Sequence, residues 1–186
     1  MKNFLLSGFI IAAFIFTGCS ASRKIKKSSA ETGSVESRSG MKNNLPGKEV
    51  DTKNVSAGDV VSFAETLIGI RYKYGAESES DGFDCSGFVN YVFNHFNISV
   101  PRVTTNFTTA GEEIPIKSSR PGDIILFTGS NANSGVVGHI GIITENDNGD
   151  VKFIHASTSR GVMISGMNSY FAPRFIKVNR IFPAEN

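Results

Sequence analysis

One cysteine of the sequence has the surroundings expected of a catalytic nucleophile. Cys85 follows Asp84 and precedes Ser86 and Gly87, directly before apolar residues at helical spacing. A thiol in the first turn of a helix is expected to ionise more easily, because the N-terminal end of a helix favours negative charge. A structural cysteine is expected instead within an apolar helix face. The pattern therefore predicts a nucleophile, with a structural thiol, a metal ligand or a disulfide partner as alternatives.

A cysteine nucleophile needs a base, and two of the three histidines are placed to provide one. His139 follows a loop rich in Gly and Ser and begins a strand-like segment, and His155 lies on the next such segment. An Asn-Gly pair within residues 147–150 predicts a hairpin, which would put both histidines at the same end of neighbouring strands. We therefore expect His139 to act as the base and His155 to orient it. His95 is expected only to interact with the negative end of its helix.

Two other interpretations of these residues stay open. His155 taken alone is as typical of a protein core as of a catalytic site. Cysteine and histidine are also zinc ligands, but the spacing of Cys85, His139 and His155 matches no short zinc motif, and no fourth ligand is evident. We expect no metal and no other cofactor.

The segments that carry these residues predict an α+β fold. Ser56 and Asp59 form a plausible N-cap for a first helix that ends at Gly69, and a second helix is expected over residues 85–96. Residues 101–111 are polar and predict at most two helical turns. The expected strands are residues 124–127, 139–144, 151–156, 162–165 and 175–181. Because the helices precede the strands, we expect a mainly antiparallel sheet.

Three segments contain the candidate residues: Phe83-Asp84-Cys85-Ser86-Gly87-Phe88-Val89, Gly138-His139-Ile140-Gly141-Ile142 and Phe153-Ile154-His155-Ala156-Ser157. Together they resemble the NlpC family of papain-like cysteine endopeptidases, which hydrolyse bacterial cell walls. The resemblance covers nearly all of residues 57–182, and its closest likeness is to Spr-like murein endopeptidase lipoproteins. It implies a nucleophile helix packed on a five- or six-stranded, mainly antiparallel sheet.

The resemblance also implies roles for individual residues. The cysteine and the two histidines of the three segments would be the nucleophile, the base and the third polar residue. Tyr72 would face the thiol and help to form the oxyanion pocket. Asp84 and Ser86 would line the pocket for the peptide substrate.

The implied reaction is hydrolysis of the stem peptides of peptidoglycan. The Spr-like resemblance points to the cross-link between D-Ala and diaminopimelate, and cleavage between γ-D-Glu and the diamino acid is the alternative. A module that binds the wall without cutting it is a second hypothesis, although the triad is complete. A third is acyl transfer to a lipid or an amine, although lipid-acting relatives of this fold tend to place the histidine before the cysteine.

The N-terminus predicts export and lipid attachment. Lys2 and the apolar run from Phe4 to Phe16 form a signal-peptide pattern, because thirteen residues are too few to cross a bilayer. The segment Phe16-Thr17-Gly18-Cys19 resembles a bacterial lipobox, in which the signal is cut before the cysteine. We therefore expect acyl chains on Cys19 that anchor the protein in a lipid bilayer, with an ordinary cleaved signal peptide as the alternative.

A tether is expected between the anchor and the folded domain. Residues 20–54 hold seven serines and no aromatic side chain, which leaves too little apolar surface to fold. Their basic cluster, Arg23-Lys24-Ile25-Lys26-Lys27, is either simply solvated or in contact with anionic headgroups. The expected parts are a signal peptide (1–18), a lipid anchor with a disordered tether (19–54) and a cysteine peptidase domain (55–186).

Composition and charge restrict the other function classes. Of the 186 residues, 40% are hydrophobic and 19% are charged, which suits one core with tails. The net charge of +2 divides into +5 for residues 1–54 and −3 for residues 55–186. A nucleic-acid-binding domain would carry its positive charge on the fold, so we expect no nucleic-acid partner. We expect a monomer in the bacterial cell envelope, anchored in the outer membrane and facing the periplasm.

Overall fold

The computed structural model describes residues 48–183, in which helices precede a large sheet. The helices are α1 (Ala57–Thr66) and α2 (Cys85–His95), with 3-10 helices at Thr104–Thr109, Ile116–Ser118 and Ala172–Arg174. The strands are β1 (Glu77–Ser78), β2 (Gly82–Phe83), β3 (Glu112–Ile114), β4 (Ile124–Thr128), β5 (Val137–Asp147), β6 (Asp150–Ser157), β7 (Gly161–Gly166) and β8 (Phe175–Arg180). Strands β1 and β2 pair with each other, and the other six form an antiparallel sheet in the order β3-β8-β4-β5-β6-β7. The predicted α+β fold class is confirmed.

Both helices begin at the residues that the sequence predicts. The Oγ of Ser56 accepts a hydrogen bond from the N–H of Asp59 at 3.1 Å, and the carboxylate of Asp84 accepts one from the N–H of Gly87 at 2.6 Å. These caps satisfy N–H groups that a helix leaves without intrahelical partners. Helix α2 ends one residue before the predicted end, and Asn97, with φ of 58°, adopts the left-handed conformation common at helix ends.

The central strand β4 is buried along its whole length, as its uninterrupted apolar sequence predicts. Successive side chains of a strand point to opposite faces of the sheet. Ile124 and Leu126 belong to the core that includes both helices, whereas Ile125 and Phe127 belong to a second apolar cluster with Phe153. Apolar contacts on both faces therefore fix the sheet against α2 and position the neighbouring strands β5 and β6.

Two edges of the domain differ from the sequence prediction. The segment 112–114, for which the sequence indicated no helix or strand, pairs with β8 at the edge of the sheet. The N–H of Lys48 donates to the carbonyl of Thr109 at 2.7 Å, and the N–H of Gly111 donates to the carbonyl of Lys48 at 2.9 Å. Ordered contacts thus begin before residue 55. Backbone groups make the contacts in both places, and side-chain composition does not encode them.

The predictions about the N-terminus concern other parts of the chain. The expected signal peptide, the lipidation site Cys19 and most of the tether lie outside the described residues. Within residues 48–183, no helix combines the length and the apolar character needed to span a bilayer. In the same range, no group of three or more His, Cys, Asp or Glu side chains is arranged to hold a metal ion.

Candidate active site

The predicted nucleophile and both predicted histidines line one cavity, whose volume is about 670 Å³. Cys85 is the first residue of α2, His139 lies near the start of β5, and His155 lies near the end of β6. Helix α2 packs on both of these strands. The first turn of the helix and the two histidine side chains therefore reach the same space.

The two histidines are joined directly. The Nε2 atom of His139 and the Nδ1 atom of His155 lie 2.9 Å apart, and the two rings are perpendicular. Gly141 lets β6 lie close to β5 here, because a Cβ atom at this position would come within 2.8 Å of the Phe153 ring and 3.0 Å of the Ile154 carbonyl oxygen. The β5–β6 hairpin thus brings together two side chains that are 16 residues apart in the sequence.

Ser165 of β7 extends the pair to a chain of three polar side chains. Its Oγ lies 3.0 Å from the Nε2 of His155, a residue whose surface is only 3% exposed. Sequence reasoning missed Ser165, because only the pairing of β6 with β7 shows that the two side chains meet. With both nitrogens of His155 engaged, Nδ1 of His139 is the nitrogen of this pair that remains for the thiol.

Burial keeps both histidines neutral at neutral pH. It lowers the pKa of His139 to about 4, and burial together with the neighbouring His139 lowers the pKa of His155 to about 3. The cause is that an imidazolium loses more hydration energy than a neutral ring when it is removed from water. For His139 to accept a proton at Nδ1, its Nε2–H must donate to Nδ1 of His155. The Nε2–H of His155 then donates to Ser165.

The thiol of Cys85 is held in its protonated form. Burial raises its pKa and the charge of Asp84 adds to the effect, while a contact of 3.5 Å with the Thr104 hydroxyl and the N–H groups of Cys85 and Ser86 oppose it. The prediction that this thiol ionises easily is therefore wrong, because desolvation of the thiolate outweighs the favourable helix end. At neutral pH the cavity holds a neutral thiol and a neutral imidazole.

Tyr72 brings a hydroxyl group to the same cavity. Burial raises the pKa of its phenol above the usual value of 10.0, and the nearby acidic groups of Cys85 and Asp84 act in the same direction. A phenol with a raised pKa stays protonated at neutral pH and can donate a hydrogen bond.

Asp84 and Ser86 do not belong to the cavity wall. Both are buried, with 7% and 5% exposure. The carboxylate of Asp84 accepts hydrogen bonds from the N–H groups of Gly75 at 2.9 Å and Gly87 at 2.6 Å, and from both terminal nitrogens of Arg102 at 3.0 and 3.1 Å. The Oγ of Ser86 accepts a further bond from Arg102 at 3.1 Å. The protein itself uses these groups, in contrast to their implied role of lining the substrate pocket.

Arg102 connects this network to the segment before α2. Its Nε lies 2.6 Å from a carboxylate oxygen of Glu77, its Nη2 donates to the carbonyl of Gly75 at 3.2 Å, and Asp84 raises its pKa above the usual value. In the sequence, Arg102 lies near the start of the polar stretch 101–111, and nothing in that stretch indicates Asp84 or Glu77 as its partners. The network holds the start of α2, and with it Cys85, in place.

The fold and the cavity define a papain-like cysteine peptidase, with a thiol at the start of a helix and a histidine pair on the sheet that the helix covers. Residues 69–180 match the model of the NlpC/P60 family. The chain belongs to the NlpC/P60 family, as its motifs predict, and is accordingly a hydrolase, an endopeptidase of the cysteine type.

Curated relatives cover the chain to different extents. A protein of Escherichia coli strain K12, named murein DD-endopeptidase MepS/murein LD-carboxypeptidase, is 31% identical over 189 residues, which are 96% of this chain and 94% of that protein. The gamma-DL-glutamyl hydrolase of Bacillus subtilis strain 168 is 32% identical over 135 residues, which are 72% of this chain. The chain spans only 32% of that Bacillus protein.

Solved structures show the same fold. The crystal structure of the NlpC/p60 domain of the peptidoglycan hydrolase SagA superposes with a TM-score of 0.56 at 28% sequence identity. The match covers 68% of this chain and 99% of that domain. The predicted papain-like NlpC fold is therefore confirmed.

Proposed function

We propose that this protein hydrolyses the stem peptides of peptidoglycan, with Cys85 as the nucleophile, His139 as the base and His155 as the residue that orients the base. The observation that carries the proposal is the thiol and the joined histidines in one cavity. Relatives named murein endopeptidase and peptidoglycan hydrolase support the substrate class.

The first step couples bond formation to proton transfer. The Sγ of Cys85 forms a bond to the carbonyl carbon of the scissile amide while its proton moves to Nδ1 of His139. Because both groups are neutral before the step, His139 acts as a general base. The imidazolium that forms is buried, and its Nε2–H donates to the ring of His155, which stabilises it and keeps it oriented.

The negative charge that develops on the carbonyl oxygen needs hydrogen-bond donors. The N–H of Cys85 lies at the start of α2, where a helix leaves its N–H groups without intrahelical acceptors. The protonated Tyr72 hydroxyl is a second donor in the same cavity. Each such donor contributes about 2.7–4 kcal/mol to stabilisation of the transition state.

The remaining steps return the site to its starting state. The C–N bond of the tetrahedral intermediate breaks, and His139 gives its proton to the leaving amine. This leaves a thioester on Cys85. A water molecule, deprotonated by His139, attacks the thioester, and the second intermediate releases a carboxylic acid product and the thiol.

We propose the cross-link between D-Ala and diaminopimelate as the main bond cleaved. The support is the similarity to the protein named murein DD-endopeptidase, which extends over 94% of that protein. The alternative bond, between γ-D-Glu and the diamino acid, is favoured by the similarity to the gamma-DL-glutamyl hydrolase.

The test uses the full chain and its Cys85→Ala variant, purified in detergent and incubated with sacculi and with defined cross-linked muropeptides. Mass spectrometry identifies the products. Monomers formed from dimers by the wild type alone are the expected result. Release of the first two stem residues would support the γ-D-glutamyl alternative, and binding to sacculi without cleavage would favour a wall-binding module.

The place of action in this proposal is the cell envelope, with acyl chains on Cys19 holding the protein in the outer membrane so that the domain faces the periplasm. The lipobox-like segment that ends at Cys19 supports this part of the proposal. Labelled palmitate should enter the wild type but not a Cys19→Ser variant. Equal labelling of both proteins would contradict the anchor.

A further inference from the structure

The wall of the active-site cavity has an unusual charge for this domain. Among residues 48–183, its lining includes Arg160 and Arg174 but no Asp, Glu or Lys, and its histidines are neutral. The segment 55–186 as a whole carries a net charge of −3. Positive charge is therefore concentrated at the place where a substrate would bind, which favours an anionic ligand.

Arg174 is held in a fixed position on this wall. Its Nη1 donates to the carbonyl of Tyr170 at 2.8 Å, its Nη2 donates to the carbonyl of Ser130 at 3.1 Å, and its guanidinium carbon lies 3.9 Å from the centre of the Tyr170 ring. Its Nε is buried and has no hydrogen-bond partner within residues 48–183. A side chain ordered in this way loses little further entropy when it binds a ligand.

The charge of Arg174 has no counterion among the described residues. Arg102 and Arg180 pair with Asp84 and Asp123 at 3.0 Å, but none of the ion pairs within residues 48–183 includes Arg174. Carbonyl oxygens satisfy two of its N–H groups without neutralising the charge. A partly buried cation that lacks a counterion is costly, and an anionic ligand would offset that cost.

Arg174 lies on the histidine side of the cavity. Phe171, three residues earlier, packs with its ring centre 6.2 Å from that of His139 and 5.3 Å from that of His155. The segment that carries Arg174 therefore flanks the histidine side of the cavity. In the proposed mechanism His139 protonates the leaving amine, so the leaving group occupies this side.

We propose that Arg174 binds a free carboxylate of the substrate residue that leaves with the amine, and that it thereby helps to select the bond that is cut. This inference rests on the proposed function. When a D-Ala–diaminopimelate cross-link is cut, the carbon that bears the leaving amine also bears a free carboxylate. Each terminal nitrogen of Arg174 keeps one N–H that no group in residues 48–183 accepts, and two such groups suit a carboxylate.

The test compares two synthetic cross-linked dimers that differ only at this carboxylate, which is free in one and a carboxamide in the other. For the wild-type full chain, kcat/KM should be about 10- to 100-fold higher on the free carboxylate, as expected for charge-assisted hydrogen bonds. An Arg174→Gln variant should lose most of this preference, mainly through KM, and an Arg174→Lys variant should keep part of it. Arg120→Gln, which removes an exposed arginine outside the cavity wall, is the matched control and should change nothing.

Two outcomes would overturn the inference. One is an Arg174→Gln variant that loses the same factor on both dimers, since this would indicate a structural role. The other is equal binding of both dimers to the inactive Cys85→Ala chain, measured at equilibrium. The binding measurement needs no turnover, so it separates failure of this inference from failure of the proposed hydrolysis.

Discussion

The thiol side and the histidine side of the cavity are held in place by different kinds of interaction. Beside the thiol, Asp84 and Arg102 form a charged network that also satisfies backbone groups around the start of α2. On the other side, His139, His155 and Ser165 form a chain of neutral groups in largely apolar surroundings. Charge thus fixes the nucleophile, and neutral hydrogen bonds fix the base.

This difference has a chemical reason. The base must be neutral before it accepts the thiol proton, and a carboxylate in the place of His155 would raise the pKa of His139 by favouring its charged form. A neutral His155 instead leaves the pKa of His139 at about 4. The charged groups Asp84 and Arg102 hold the backbone at the start of α2 and take no part in the proposed proton transfer.

The largest effect is expected from removal of the base. His139→Ala should lower kcat on cross-linked muropeptides by about 10⁴-fold, because the neutral thiol then has no group to take its proton. His95→Ala is the matched control, since the exposed His95 stacks on Phe63 and is not part of the cavity wall. Its activity should equal that of the wild type. Wild-type rates in the His139 variant would contradict the assigned base.

Acid should weaken the histidine side of the molecule. In the unfolded chain an imidazole binds a proton below a pH of about 6.5, whereas the folded His139 and His155 stay neutral down to about 4 and about 3. Protons therefore bind preferentially to the unfolded state, and the free energy of unfolding should fall by a few kcal/mol as the pH falls from about 6.5 to 4.

Urea denaturation at a series of pH values measures this effect. A His139→Gln/His155→Gln double variant should show a clearly smaller fall over the same pH range, whatever its stability at neutral pH. A His95→Gln variant should retain the wild-type dependence. If the free energy of unfolding fell by the same amount with pH in all three proteins, the buried histidine pair would not be the cause of the fall.

Removing the positive charge beside Asp84 on the thiol side should destabilise the protein. Arg102→Gln leaves the buried carboxylate of Asp84 without its cation, and the free energy of unfolding should fall by about 2–3 kcal/mol. This loss is smaller than for a fully buried ion pair, because the Arg102 side chain is partly exposed to solvent. Lys152→Gln removes an exposed ion pair with Glu145 and should cost less than about 0.5 kcal/mol. Equal losses in thermal or urea unfolding would remove the distinction between the two networks.

The elements that carry the thiol and the two histidines were predictable from the sequence, because they depend on local signals. The local signals are the cap Ser56, the start of α2 at Cys85, the apolar run of β4 and the Asn-Gly turn before β6. Each acts over a few residues, and each lies where expected. The hairpin then placed the two histidines on neighbouring strands.

The parts that were not predictable depend on distant contacts or on burial. The partner of Asp84 is 18 residues away, and Ser165 meets His155 only through the register of β6 and β7. The raised pKa of Cys85 follows from desolvation by the whole fold, whereas its helix position alone suggested the opposite direction. Local sequence contains no measure of such burial.

The smallest effect sharpens the description of the neutral chain. Ser165→Ala removes the partner of His155 Nε2, which frees that ring to take its other tautomer or orientation. Because one neutral hydrogen bond contributes about 1 kcal/mol, kcat should fall about 5- to 10-fold with little change in KM. Ser165→Thr keeps the hydroxyl and should restore most of the activity. If kcat fell equally in both variants, packing at position 165 rather than the hydrogen bond would support the base. The hydrogen-bonded series that matters for catalysis would then consist of His139 and His155 alone.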